Sequence, residues 1–251
     1  MSSAKDSEGA KTNSDIVIRS SDDVKFRLHK KNLECNSEAF PPAETPTNGE
    51  IVLLSETAAT LKILFQFIYP RPYPNLEKLD VKSLLLVAEA AEKYRIFPAM
   101  YGCQFALRKH LNSNPRDILI FAVKHDNPSL IVQLPLKYLL DTPLSDLAEI
   151  LSPSVYMLWT IYRERWLDAL HEATTRLIPV HRCNHWSDAI RDLLCGMNSP
   201  SCLLSPKIDT IFGHRVYPSR SQCCVNEIGV WKASVLSKIA KIPPFSLPND
   251  S

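Results

Sequence analysis

Glycine is scarce in this 251-residue chain, which contains only six. Each glycine stands alone in the sequence, so the chain lacks the glycine clusters that characterise nucleotide-binding loops. Such loops need several glycines because the backbone must turn tightly and approach the phosphates closely. The scarcity therefore excludes a phosphate-binding loop of the Rossmann or P-loop kind.

Long apolar runs are also missing. The richest run, 84–91, is short and contains Glu89, whereas a membrane helix needs roughly 18 to 20 apolar residues. Residues 1–13 are polar and lack the apolar segment that a secretory signal carries. We therefore expect no membrane partner and a cytoplasmic or nuclear location.

Charge of one sign is not in excess. The chain has 29 basic and 27 acidic residues, which gives a formal net charge of +2. The sequence also lacks blocks of about five or six like charges. Because binding to nucleic acid relies on a positive face that neutralises several phosphates, the charge pattern predicts no nucleic-acid partner.

Catalytic signatures are absent as well. The sequence has no Gly-x-Ser-x-Gly pattern, and the neighbouring carboxylates Asp22 and Asp23 fall in a polar, turn-like segment. A nucleophile also needs a nearby base and a group that orients this base, and no local pattern suggests such a set. We therefore expect a protein that is not an enzyme and that uses no cofactor.

The sequence does contain a change of pattern near residue 113. Before it, three short apolar segments have strand character, namely 14–20, 24–28 and 50–54. The polar stretch between the first two predicts a hairpin. Helical spacing follows, with Ser55 and Asp80 as predicted N-terminal caps and Pro98 at the start of a further helix.

Beyond residue 113 the apolar spacing is helical only. The candidate helices are 115–126, 128–140, 145–151, 154–177, 186–195 and 228–239. This order predicts an α+β domain followed by an all-α region. The predicted limits are a disordered tail at 1–13, an α+β domain at 14–112, a helical extension at 113–242 and a disordered tail at 243–251.

Several motifs of the N-terminal part occur in a fixed order. The first two are an acidic residue before an apolar run in 14–18 and the segment Phe26-x-Leu28-His29-Lys30. The next two are the spacing of His29, Leu33, Ser37 and Phe40, and the strand Ile51-Val52-Leu53 ahead of a helix that ends in Ile68-Tyr69. The last is the set Ala88, Ala91, Tyr94 and Ile96. In this order they resemble the BTB/POZ family, in the lineage-expanded type found in fungi. The resemblance covers roughly residues 14–112.

The resemblance implies a small mixed sheet packed on helices. It also implies a non-catalytic protein–protein interaction module that associates with itself or with another protein. In the family the positions of Asp15 and His29 lie near a charged groove, so Asp15, His29, Lys30 and Glu44 are the candidate interaction residues. A purely local alternative stays open, in which Asp15 caps a turn and His29 bonds a nearby backbone group.

Two departures from the family pattern bear on its usual partners. Many BTB dimers exchange an N-terminal helix and strand, and only 13 polar residues precede Ser14 here, which weakens the expectation of a homodimer. Members that recruit cullin-type ubiquitin ligases often carry an apolar-x-Glu motif after the Phe40 position. Here the segment is Pro42-Ala43-Glu44, with proline in the apolar position. A cullin-ligase adaptor is therefore an alternative function with a poor motif match.

Cysteine and histidine suggest one further alternative. The seven cysteines, an odd number without a signal segment, argue against a disulfide framework. Reduced thiolates and imidazoles suit zinc, and the candidate ligands are His181, Cys183, His185 and Cys223. Cys195, Cys202, His214 and Cys224 are further residues that could complete a tetrahedral site. The chain lacks paired Cys-x2-Cys motifs, and the adjacent Cys223 and Cys224 are poorly spaced to share an ion. We therefore predict no metal and keep a zinc-stabilised helical scaffold as a third hypothesis.

Overall fold

A computed structural model describes residues 14–46, 49–213 and 222–247 and divides the chain into two compact units, Met1–His125 and Asp126–Ser251. The first unit contains strands β1 (Ile16–Arg19), β2 (Lys25–Leu28) and β3 (Ile51–Leu53) and helices α1 (Lys30–Asn36), α2 (Ala58–Leu64), α3 (Val81–Tyr94), α4 (Phe97–Leu107) and α5 (Pro115–Lys124). The second unit contains helices α6 (Pro128–Gln133), α7 (Leu136–Asp141), α8 (Leu144–Ile150), α9 (Pro153–Thr174), α10 (Trp186–Gly196), α11 (Lys207–Ile211) and α12 (Gln222–Ile239). Short 3-10 turns lie at Leu76–Lys78, Arg108–His110 and Pro200–Leu203. The predicted order, a small sheet with helices and then helices alone, is confirmed.

The sheet is mixed and has the strand order β2-β1-β3. β1 pairs antiparallel with β2, with Ile18 opposite Phe26, and parallel with β3, with Ile18 opposite Val52. The alternating pattern of β1 and β2 buries every second side chain, including Ile18 and Phe26. Because side chains alternate between the two faces of a strand, this periodicity fixes the buried face of the hairpin.

The hairpin turn also caps a helix. Asp22 lies in this turn, and its carboxylate accepts a hydrogen bond of 2.7 Å from the backbone N–H of Ala58, the first residue of α2. The sequence predicted Ser55 as the cap of this helix, and that prediction is wrong, because the helix begins at Ala58 after Thr57. An acceptor far away in sequence satisfies the free N–H group at the helix start, which local spacing does not reveal.

Helices α3 and α4 pack on each other and form the helical part of this core. Asp80 caps α3 as predicted, because its carboxylate accepts hydrogen bonds from the backbone N–H groups of Lys82 and Ser83. The helix ends at Arg95, whose φ of 52° is left-handed. The buried face of α3 includes Leu84 and Ala88, as the helical spacing predicted.

Helix α5 belongs to the first unit, which ends after His125. The carboxylate of Glu89 on α3 accepts hydrogen bonds from the Lys124 ammonium at 2.6 Å and from the His125 ring at 2.9 Å. By its contacts α5 lies in the first compact unit, and the predicted domain limit at 112/113 stays a prediction. A change of periodicity marks a change of element type and does not reveal which core a helix joins.

In the second unit, proline breaks one predicted helix in two. The predicted helix 128–140 is α6 and α7, with Leu134 and Pro135 extended between them. Proline has no N–H and forces the residue before it out of the helical region, so the helix cannot continue. The predicted helix at 154–177 is α9, which buries Trp159, Tyr162 and Trp166.

The end of the described chain packs against α9. The Phe245 ring lies 5.4 Å from that of Trp159 and 5.3 Å from that of Tyr162, and Leu247 is buried. Residues 243–247, which the sequence assigned to a disordered tail, therefore contact the helical core. α12 ends at Ile239, and Pro243 and Pro244 prevent the helix from resuming. The side chains after these prolines can still pack against the helical core. The predicted tail at 1–13 and residues 248–251 lie outside the described residues.

Within the described ranges, none of the helices is long and apolar enough to cross a lipid bilayer.

Candidate functional site

The spaced motif after β2 packs onto the later motifs of the first unit. His29 and Tyr69 meet edge to face, with ring centres 5.8 Å apart and His29 Nδ1 3.2 Å from the tyrosine hydroxyl. Phe40 stacks on Tyr94 with ring centres 5.5 Å apart. The residues whose spacing resembles the family therefore contact side chains that are distant in the sequence.

The buried Ser37 of the same motif makes the remaining link. Its hydroxyl donates a hydrogen bond of 2.7 Å to the carbonyl of Leu33, and its backbone forms an antiparallel bridge with Ile96. A buried hydroxyl must find an acceptor, and the carbonyl one helical turn back supplies it.

The predicted interaction residues lie around the start of α1. The Asp15 carboxylate accepts a hydrogen bond of 2.7 Å from the backbone N–H of Lys30, and the Lys30 ammonium donates one of 2.5 Å to the carbonyl of Thr45. Glu44 precedes Thr45 and is exposed. Asp15 thus caps the start of α1, which is close to its role in the local alternative, whereas His29 contacts the side chain of Tyr69, 40 residues away. A role for Asp15, His29, Lys30 and Glu44 in binding a partner stays a prediction.

A second polar cluster links α2 to the end of α3. The Glu56 carboxylate accepts hydrogen bonds from the Lys93 ammonium at 2.8 Å and from the Tyr94 hydroxyl. Burial favours the neutral form of Glu56, but the two donors outweigh it and hold the pKa of this carboxyl below its ordinary value. Burial and the bond to Glu56 raise the pKa of Tyr94. These charges are satisfied within the unit, so the cluster stabilises the fold and offers no reactive group.

An apolar groove of about 880 Å³ opens on the surface of the first unit. Its lining includes Phe67, Tyr73, Leu76, Phe97, Tyr101 and Phe105. On α4, Tyr101 is 72% exposed and Phe105 is 62% exposed. Gly102 also lines the groove, and a Cβ atom there would lie 3.4 Å from the side chains of Leu76 and Phe67. The groove is therefore a concave apolar surface flanked by two protruding aromatic rings.

Sequence reasoning missed this groove. It predicted only that a helix begins at Pro98, and the structure shows that this helix buries Cys103 and Leu107. Tyr101 and Phe105, spaced four residues apart, protrude elsewhere on the same helix. The available signal was that α4 contains no charged residue at all. A surface helix without a charged face indicates a second apolar contact.

The second unit contains a cluster of metal-ligating groups. One candidate ligand atom from each of His181, Cys183, Cys223 and Cys224 lies within 4.8 Å of the other three. The sulfurs of Cys183 and Cys224 are 3.1 Å apart. His181 and Cys183 lie between α9 and α10, whereas Cys223 and Cys224 lie in the first turn of α12.

The cluster differs from the predicted ligand set in one member. His185 is exposed before α10 and does not belong to it, and Cys224 takes the fourth position. The sequence argued against two adjacent cysteines at one ion, but at the start of α12 both sulfurs approach His181 and Cys183. Cys195 and Cys202 lie outside the cluster, and His214 lies outside the described residues. Burial raises the pKa of Cys202.

The comparisons with known proteins agree with this architecture. A family model described as the BTB/POZ domain matches residues 5–111. Nothing matched among curated proteins, and nothing matched among solved structures. BTB/POZ domains are generally protein–protein interaction modules rather than enzymes, and they generally mediate association and dimerisation. The matched segment and the mixed sheet with its packed helices together show that residues 5–111 form a BTB/POZ domain, which an all-helical region follows.

Proposed function

We propose that the chain is a non-catalytic interaction module that associates with a second copy of itself through the apolar groove of its BTB unit. The single observation that carries this proposal is the pair of aromatic side chains, Tyr101 and Phe105, exposed beside the groove. Exposed aromatic residues around a concave apolar surface mark a contact site, because their burial releases ordered water and fills a pocket.

The shape of this surface suits a symmetric contact. Protruding rings and a recess at Gly102 lie side by side, so in a twofold pair the rings of one copy can enter the recess of the other. Such a self-complementary contact is the usual geometry of homodimers. The rim carries little unbalanced charge, since Glu77 at the groove pairs with Lys109 at 2.5 Å. A net charge of +2 also gives weak repulsion between copies.

Light scattering on the full chain tests this proposal. One chain has a mass of 28.4 kDa, and we expect twice that mass at micromolar concentration. A mass of one chain across the accessible concentration range would overturn self-association.

Association with a cullin-type ubiquitin ligase is the other candidate function. Glu44 is exposed, but Pro42 stands in the apolar position of the motif and accepts a turn hydrogen bond from the Thr45 N–H at 3.0 Å. A rigid turn at this point gives no flexible apolar side chain for a cullin to bury. We therefore expect no stable complex with a cullin N-terminal domain in a pull-down. A stoichiometric complex would favour the adaptor role instead.

A further inference from the structure

We propose that His181, Cys183, Cys223 and Cys224 bind one structural zinc ion in the helical unit. Three thiols and one imidazole form a closed four-ligand set of the kind that structural zinc sites use. The set offers soft sulfur ligands, which favour zinc over calcium or magnesium. This inference does not depend on self-association of the BTB unit.

The distances between the ligand atoms are close to those that zinc requires. Tetrahedral zinc–sulfur bonds of about 2.3 Å place two sulfurs about 3.8 Å apart. In the cluster, Cys183 Sγ and Cys224 Sγ are 3.1 Å apart, and all four ligand atoms lie within 4.8 Å of one another. Shifts of about an ångström in side-chain position would complete the tetrahedron.

His181 supplies an independent reason to expect a ligand. Its Nε2 atom is buried and has no hydrogen-bond partner among the described residues. The ring is held edge to face against Trp186, with ring centres 5.2 Å apart. A buried polar nitrogen without a partner is costly, and coordination of a metal is one way in which an imidazole is satisfied.

The start of α12 is a favourable place for a negatively charged zinc–thiolate centre. Cys223 and Cys224 lie in the first turn of this 18-residue helix, where the helix dipole is positive. A zinc ion with three thiolates carries a net negative charge, which the same dipole stabilises.

The ion would join two segments that are far apart in the sequence. Cys183 and Cys224 are 41 positions apart, and α10 and α11 lie between them. Closing a long loop stabilises the folded chain, so zinc would fix the segment before α10 to the start of α12.

Metal analysis of the full chain, purified under reducing conditions with added zinc, tests this site. We expect about one zinc ion per chain, loss of that zinc in Cys183→Ser, Cys224→Ser and His181→Ala, and retention in the matched controls Cys195→Ser and His185→Ala. Cobalt added to the metal-free protein should give the visible bands of a tetrahedral thiolate site, and these bands should be lost in the same three variants.

Three outcomes would overturn the proposal. They are less than about half an equivalent of zinc in the reconstituted wild-type chain, zinc content that the three variants leave unchanged, and a Cys183–Cys224 disulfide in the reduced-purified protein, detected as a mass loss of two hydrogens. Should a serine variant fail to fold, the cobalt spectrum of the wild-type chain and its loss on adding a chelator decide the matter.

Discussion

The Tyr94 hydroxyl donates a hydrogen bond to the Glu56 carboxylate, which joins the end of α3 to the start of α2. Tyr94 is buried, and its ring also stacks on Phe40. The ring of Tyr94 therefore packs on one part of the core, while its hydroxyl bonds a charged acceptor in another part.

Tyr94→Phe should keep the stacking and remove only this hydrogen bond. Bonds to charged groups contribute more than neutral ones, so we expect the free energy of unfolding to fall by about 1 to 2 kcal/mol. Urea denaturation followed by circular dichroism measures this change. Tyr101→Phe is the control, because that side chain is mostly exposed. Equal stability of the Tyr94→Phe variant and the wild type would show that the bond contributes nothing.

Acid should weaken the first unit through two carboxylates. The pKa of Glu56 and that of Glu89 are held below the ordinary value of 4.5, because hydrogen bonds from Lys93 and Tyr94, and from Lys124 and His125, outweigh burial. A carboxyl with a lower pKa in the folded state binds fewer protons there than in the unfolded chain. Its contribution to stability is therefore complete above about pH 4.5 and is lost as the pH falls through the folded-state pKa.

The comparison of wild type with a Glu56→Gln, Glu89→Gln variant isolates this effect. We expect the wild type to lose more stability than the variant between about pH 5 and about pH 3, measured by urea denaturation. A parallel loss in both proteins would mean that other groups cause the acid sensitivity.

The packing of Phe245 predicts that the end of the described chain contributes to the helical unit. Phe245→Ala removes the ring that contacts Trp159 and Tyr162, so we expect a loss of roughly 1 to 3 kcal/mol in unfolding free energy, below that of a fully buried phenylalanine. Tryptophan fluorescence of the folded protein should also shift as water reaches this region. Ser246→Ala, an exposed neighbour, is the control. An unchanged spectrum and stability would indicate that the segment does not dock.

Thiol reactivity should separate Cys103 from the exposed cysteines. Burial raises the pKa of Cys103 to about 12, so almost none of it is thiolate near neutral pH. Alkylation of the folded protein, followed by mass spectrometry of peptides, should modify the exposed Cys35 and Cys195 and leave Cys103 untouched. All three should react in denaturant. Rapid modification of Cys103 in the folded chain would contradict its burial.

Much of the first unit was predictable because its signals are local. The alternation that buries Ile18 and Phe26, the cap at Asp80 and the spacing from His29 to Phe40 each lie within a few residues of sequence. The cap of α2 was not predictable in this way, because Asp22 reaches it from a turn 36 residues earlier. Local spacing cannot show which distant acceptor will satisfy a free N–H group.

The candidate sites show the same limit. The sequence predicted no metal and named His181, Cys183, His185 and Cys223 as candidate ligands, whereas the cluster in the structure contains Cys224 in place of His185. The adjacency of Cys223 and Cys224 argued against both, but at the start of α12 both sulfurs reach the cluster. Tyr101 and Phe105 were missed because the periodicity of α4 identifies its buried face only. The absence of charge along α4 was the one available hint.

Self-association should depend on Tyr101 and Phe105. Aromatic residues at the centre of an interface often contribute about 2 kcal/mol or more each, so Phe105→Asp alone should weaken the dimer by roughly 30-fold or more. Leu86→Asp is a matched control, because Leu86 is 58% exposed on α3 and lines a different groove. Circular dichroism should show that each variant folds.

The central proposal is that the chain associates with itself through the groove beside Tyr101 and Phe105 in its BTB/POZ domain. Sedimentation equilibrium of the full chain tests it most directly, with the wild type, the Tyr101→Asp, Phe105→Asp double variant and Leu86→Asp side by side. We predict twice the 28.4 kDa chain mass for the wild type and Leu86→Asp, and a single chain mass for the double variant. A wild type that sediments as one chain, or a double variant that remains a dimer, would contradict the claim.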